Sequence, residues 1–132
     1  MLAPPPSLSD LAARFGLSLV VRFGSTAAGR ATADSDQDIA VWVVLGREAL
    51  GLNEEAELVV ALGDALGGPE VDLTVLNRAD PLLLFSVARD GVPLFEMSPG
   101  AFAEFKSYAA RLYYDSEKFR AAERRYLEAR LG

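Results

Sequence analysis

Residues 17–45 read LSLVVRFGSTAAGRATADSDQDIAVWVVL. Two runs rich in β-branched and aromatic residues, 17–23 and 38–45, flank a small polar segment with two glycines and four Ser or Thr between Gly24 and Asp36. Runs of this kind bounded by turn residues predict strands, and the near-continuous second run predicts one covered on both faces, in the middle of a sheet. The first strand delivers the chain directly into Gly24-Ser25. The second opens on Asp36 and Asp38, two residues apart, so both side chains project from one face.

Outward from this stretch the pattern is helix, strand and helix in alternation. Ser7 or Ser9 can cap a short helix bearing Leu11, Ala12 and Phe15, which Gly16 ends. Asn53 is a plausible N-cap for a helix striped by Leu58, Ala61, Leu62, Ala65 and Leu66 that stops at Gly67-Gly68. EVDLTVL, 70–76, predicts a third strand. Asp80-Pro81 and Ser98-Pro99 each place a capping side chain before a proline and predict helices over 81–89 and about 99–130, with a short extended piece at 92–95 between them. In the last helix Phe105, Leu112, Phe119 and Tyr126 recur every seven residues, but the stripe of Phe102 and Ala109 lapses at Ser116 and Glu123. Its second half is therefore expected to be weakly packed or to meet a partner. The expected architecture is one α/β domain over 1–132: a small sheet flanked by helices, a core at about 17–96 and a long C-terminal helix.

Composition narrows the chemistry. The 132 residues are 51% hydrophobic and 24% charged, which fits one globular domain. Thirteen Lys and Arg against nineteen Asp and Glu leave a net charge of −6, arguing against direct nucleic-acid or anionic-lipid binding. With neither cysteine nor histidine in the chain, thiolate, zinc-thiolate and imidazole-based catalysis are excluded. The longest uncharged apolar run, 39–45, is far short of the roughly 20 residues that span a bilayer. The proline-broken N-terminus has no basic region typical of a secretory signal, and a cytoplasmic protein is expected.

What remains is carboxylates, hydroxyls, arginines and a hard metal. Asp36, Asp38 and Asp72 form a carboxylate-only donor set, which selects Mg²⁺ or Mn²⁺, ions that also bind substrate phosphate oxygens. Asp72, between Val71 and Leu73, reads as an acid in an apolar strand, where burial is costly unless it ligates or pairs. Gly24-Ser25 offers backbone N–H groups and a hydroxyl suited to a phosphate. The blander readings are a turn residue for Asp34, a helix cap for Asp80, core packing for Trp42, and a solvated face for the mixed charges of the last helix.

GSTAAGRATADSDQDIAVWV, 24–43, resembles the G-S-x10-D-x-D signature of DNA polymerase β-like nucleotidyltransferases. EVDLTVLNRADPLLLFSVARDGVPLFE, 70–96, is similar to the third-carboxylate strand and following helix of their minimal (MNT) branch. The resemblance covers about residues 17–96. It implies a small mixed sheet flanked by helices, Gly24 and Ser25 as the phosphate-binding pair, Asp36 and Asp38 as metal-bridging carboxylates, and Asp72 as ligand of the catalytic metal and acceptor of the nucleophile's proton. It further implies ATP and Mg²⁺ as requirements and assembly with a HEPN toxin whose tyrosine is adenylylated. The chain has Ala28 where the family often has a basic residue, leaving Arg30 or Arg22 to meet the phosphates, and Gln37 where the family has Ile or Leu, a change expected to matter little. Two alternatives share these residues: an inactive antitoxin acting by steric binding, and a small-molecule transferase of the aminoglycoside-modifying type.

Overall fold

The computed structural model describes residues 7–24, 36–44, 50–68 and 70–131. In chain order these form α1 (Leu8–Phe15), β1 (Leu17–Phe23), β2 (Gln37–Val43), α2 (Leu52–Leu66), β3 (Val71–Val75), a 3₁₀ turn (Leu76–Arg78), α3 (Pro81–Asp90), β4 (Val92–Glu96) and α4 (Ala101–Leu131). The strands make a mixed four-stranded sheet in the order β3-β2-β1-β4. Neighbours of β1 run antiparallel to it, whereas β2 and β3 are parallel.

Local chemistry explains most of the boundaries. Ser7 and Asp10 cap α1 reciprocally, and Gly16 ends it in the left-handed conformation. Asp80 accepts from the Leu83 N–H ahead of Pro81, as its sequence position predicts. Two helix starts differ from expectation. Gly51, not Asn53, is the N-cap of α2, with the Glu54 carboxylate accepting the Gly51 N–H. α4 starts at Ala101 rather than Pro99, and the Glu96 carboxylate, not Ser98, caps it by accepting from the Phe102 N–H at 2.8 Å. The expected extended piece at 92–95 is a full edge strand that pairs with β1.

Strand alternation sends side chains to two cores. On one face Val20, Ile39, Val41, Val71 and Val75 pack against Leu11 and Phe15 of α1 and Leu58 and Leu62 of α2. On the other, Leu19, Val21 and Ala40 meet Leu84 and Val87 of α3 and Phe105 and Ala109 of α4. Beyond Leu112 the seven-residue stripe of α4 loses its support: Phe119 is 71% exposed and Tyr126 59%. Asn77, in the 3₁₀ turn, extends the ladder by accepting from the Val43 N–H at 2.8 Å and donating to the Val43 carbonyl at 2.9 Å.

Candidate functional site

The aspartates meet at the end of the sheet where β1 finishes and β2 and β3 begin. Phe23 pairs with Asp38 across β1 and β2, and Asp38 lies directly beside Asp72 in the parallel β2–β3 register. Adjacent strands are about 4.8 Å apart, so two carboxylates at one register level on one face are close neighbours. Asp36 lies immediately before β2. Burial, then the Asp72 charge, then the Asp36 charge push the Asp38 carboxyl above its ordinary proton affinity. Asp38 is thus the half-buried centre of the trio, with Asp36 and Asp72 exposed on either side.

Gly24 closes over this centre. It has φ +73°, and a Cβ added there would lie 2.2 Å from Asp38 Oδ2. The turn therefore needs glycine twice over, for the left-handed backbone and for the space that the Asp38 carboxylate occupies. Ser25 and Arg30, the other candidates for phosphate contact, lie outside the described residues, as do Ala28 and Asp34.

Three expectations change. Asp72 is exposed, not buried: β3 is an edge strand whose Val71 and Val75 point inward while Asp72 points out. The burial penalty therefore says nothing about Asp72, and its register beside Asp38 is the observation that places it at the site. Gln37 is not incidental. It is the one buried polar side chain among the described residues, lies under the Gly67-Gly68 turn, and accepts from Arg22 Nη2 at 3.3 Å. Because Gln37 and Asp38 are consecutive in a strand, they face opposite sides of the sheet. Arg22, bonded to Gln37, is accordingly directed away from the Asp38 face and does not supply the cationic group that Ala28 lacks. Its buried Nε has no hydrogen-bond partner among the described residues.

The donor chemistry suits a hard cation: only carboxylate oxygens, the central one raised in proton affinity by burial first and then by its like-charged neighbours Asp72 and Asp36. Among the described residues no three carboxylates lie close enough to hold an ion by themselves. That is how Mg²⁺ commonly binds, through one or two carboxylates with substrate phosphate and water completing the shell.

Residues 9–99 match the family model "Polymerase beta, Nucleotidyltransferase". The chain belongs to this nucleotidyltransferase family. The protein adenylyltransferase MntA of Aphanizomenon flos-aquae is 32% identical over 120 residues, a match covering 85% of this chain and 77% of that protein. Among solved structures, a toxin–antitoxin with AMP-PNP superposes with TM-score 0.71 at 26% identity, covering 92% of this chain and 95% of the other. A complex of tri-AMPylated Shewanella oneidensis HEPN toxin with MNT antitoxin gives TM-score 0.62 at 26% identity, covering 86% and 84%. The mixed sheet with a long C-terminal helix is therefore the nucleotidyltransferase fold. No helix among the described residues is long and apolar enough to cross a membrane.

Proposed function

We propose that this nucleotidyltransferase moves AMP from ATP to a tyrosine hydroxyl of a partner HEPN toxin, in the cytoplasm, with a core over about 17–96 and α4 (99–130 by sequence) as its partner-facing element. The observation that supports it most is the placement of Asp38 beside Asp72 on one sheet face beneath Gly24. The similarity to a protein adenylyltransferase, and to a complex that holds an AMPylated HEPN toxin, supports the same donor and acceptor.

Asp36, Asp38 and Asp72, together with substrate phosphate oxygens and water rather than by themselves, would hold Mg²⁺ or Mn²⁺, which would neutralise phosphate charge and favour in-line attack at the α-phosphorus. Gly24 keeps the space around Asp38 open, and Ser25 and Arg30 are the candidates to hold the triphosphate. As the acceptor oxygen bonds to the α-phosphorus, the bond to the β-phosphate bridge breaks and pyrophosphate leaves. The hydroxyl proton passes to a base, and Asp72 is the candidate: exposed to an incoming acceptor and next to Asp38, in a chain without histidine.

The test is label transfer from [α-³²P]ATP, with [γ-³²P]ATP in parallel, to the co-expressed toxin. Transfer of the α label alone, lost without Mg²⁺ and in Asp38→Asn, is the expected result. Toxin that binds and is silenced without acquiring label would replace this reading with a steric antitoxin.

A further inference from the structure

On the reverse of the sheet, at the same end as the aspartates, three chain segments converge on one side chain. Gln37 stands between Asp36 and Asp38 and, being next to Asp38 in a strand, points to the opposite face. It is only 4% exposed. Its Oε1 accepts from Arg22 Nη2 at 3.3 Å, and a Cβ added at Gly68 would lie 2.7 Å from its Nε2. Arg22 comes two residues before Gly24, and Gly68 four before Asp72. In the main chain the Gln37 N–H donates to the Glu70 carbonyl at 2.9 Å, and Gln37 pairs with Val71, the register that sets Asp38 beside Asp72. Each segment that brings a residue to the site is therefore in contact with Gln37 on the other side of the sheet.

Stability does not call for this arrangement. Val20, Ile39 and Val41 on the same face are apolar and buried, and an aliphatic side chain at position 37 would join them without the cost of taking a carboxamide out of water. The Arg22 guanidinium is half-buried, with its Nε buried and lacking a partner among the described residues. A polar pair satisfied only in part adds little stability. What a directional hydrogen bond adds over an aliphatic contact is a fixed rotamer and a fixed relation between the segments it joins. That relation matters at this end of the sheet, where Gly24 fits against the Asp38 carboxylate without room for a Cβ and where a shift of about 1 Å at a reacting centre is costly.

We infer that Gln37 is a positioning residue: bonded to Arg22 and packed under the Gly67-Gly68 turn, it holds the end of β1 and the starts of β2 and β3 so that Asp36, Asp38 and Asp72 present their carboxylates together to a metal–nucleotide. Gln37 acts from the reverse of the sheet and touches neither the nucleotide nor the metal. The inference rests on the transfer reading for what those carboxylates hold, so its test includes binding without turnover.

The probe is the Mn²⁺ complex of α,β-methylene-ATP, which cannot release pyrophosphate, and its binding to the intact protein is read by water proton relaxation. Gln37→Met keeps length and charge but removes the acceptor for Arg22. It should bind the probe about fivefold more weakly and transfer the α label with kcat about tenfold lower, at a temperature well below its melting point. Arg22→Lys/Gln37→Met keeps the same charge, and its ammonium can reach water from this half-buried position. The double variant should regain most of the melting temperature that Gln37→Met loses, because no guanidinium is left unpaired, yet keep the weakened binding. It also carries the test should the single variant fail to fold. Binding by Gln37→Met within about twofold of the wild type, or binding that recovers with melting temperature in the double variant, overturns the inference. A wild type that binds the probe but transfers no label, with binding weakened in both variants, refutes the transfer reading and leaves the positioning role standing. A wild type that does not bind the probe overturns both.

Discussion

Replacing Gly24 by alanine separates the backbone role of that residue from its role beside Asp38. At φ +73° an L-residue costs about 1–2 kcal/mol, which lowers the melting temperature by about 3–8 °C in a domain of this size. The new methyl group would also sit 2.2 Å from Asp38 Oδ2, where ordinary contact begins at 3.4 Å. The carboxylate must retreat by about 1 Å, a misplacement that at a reacting centre costs about 100-fold in rate. Gly67→Ala is the matched control: φ is +64°, yet a Cβ there meets nothing within 4 Å. Both variants should therefore melt earlier by similar amounts, while only Gly24→Ala loses transfer of the α label, measured as initial rate at saturating Mg²⁺. A Gly24→Ala enzyme with wild-type turnover, or one no slower than Gly67→Ala, would refute the assignment of Gly24 to the reaction centre.

The raised proton affinity of Asp38 has a sign that a melting experiment reads. The folded protein holds that proton more tightly than the unfolded chain, so this group's contribution to stability is fully present below the ordinary aspartate range and is lost as pH rises through the elevated value. In chelator at pH 7, Asp38→Asn should melt above the wild type, and the gap should close on acidification; Mg²⁺ should raise the wild type alone, and a variant no more stable at pH 7 would contradict the burial and like-charge crowding of Asp38. Asn77→Ala removes both bonds to the Val43 backbone and should cost about 1–3 kcal/mol in urea unfolding, whereas a loss under about 0.5 kcal/mol would show that water replaces the amide.

Several elements follow from local physics alone and were legible residue by residue. LSLVVRF forms β1 over the predicted span, Gly16 and Gly67 end their helices in the left-handed conformation, and Asp80-Pro81 starts α3. β4 was less legible because VPLFE is short, half-exposed and contains Pro93, so its pattern matches any extended piece; pairing with β1 makes it a strand. Asp72 was misread because apolar flanks resemble two-sided burial, whereas an edge position leaves one face open. Gln37 carried no signal of its own, since Arg22 and Gly68, the groups that enclose it, are distant in sequence.

The order of apolar runs, the capping residues and the spacing of Gly24, Asp36, Asp38 and Asp72 are local properties, so the sequence by itself determined the elements, their α/β class and the carboxylates available for chemistry. Which carboxylates stand side by side, which face Arg22 takes and how Trp42 meets Tyr108 were decided only by the tertiary structure. The physical reason is register. Strand pairing and helix docking join residues far apart in the chain, and a shift of one residue would send every side chain of a strand to the opposite face.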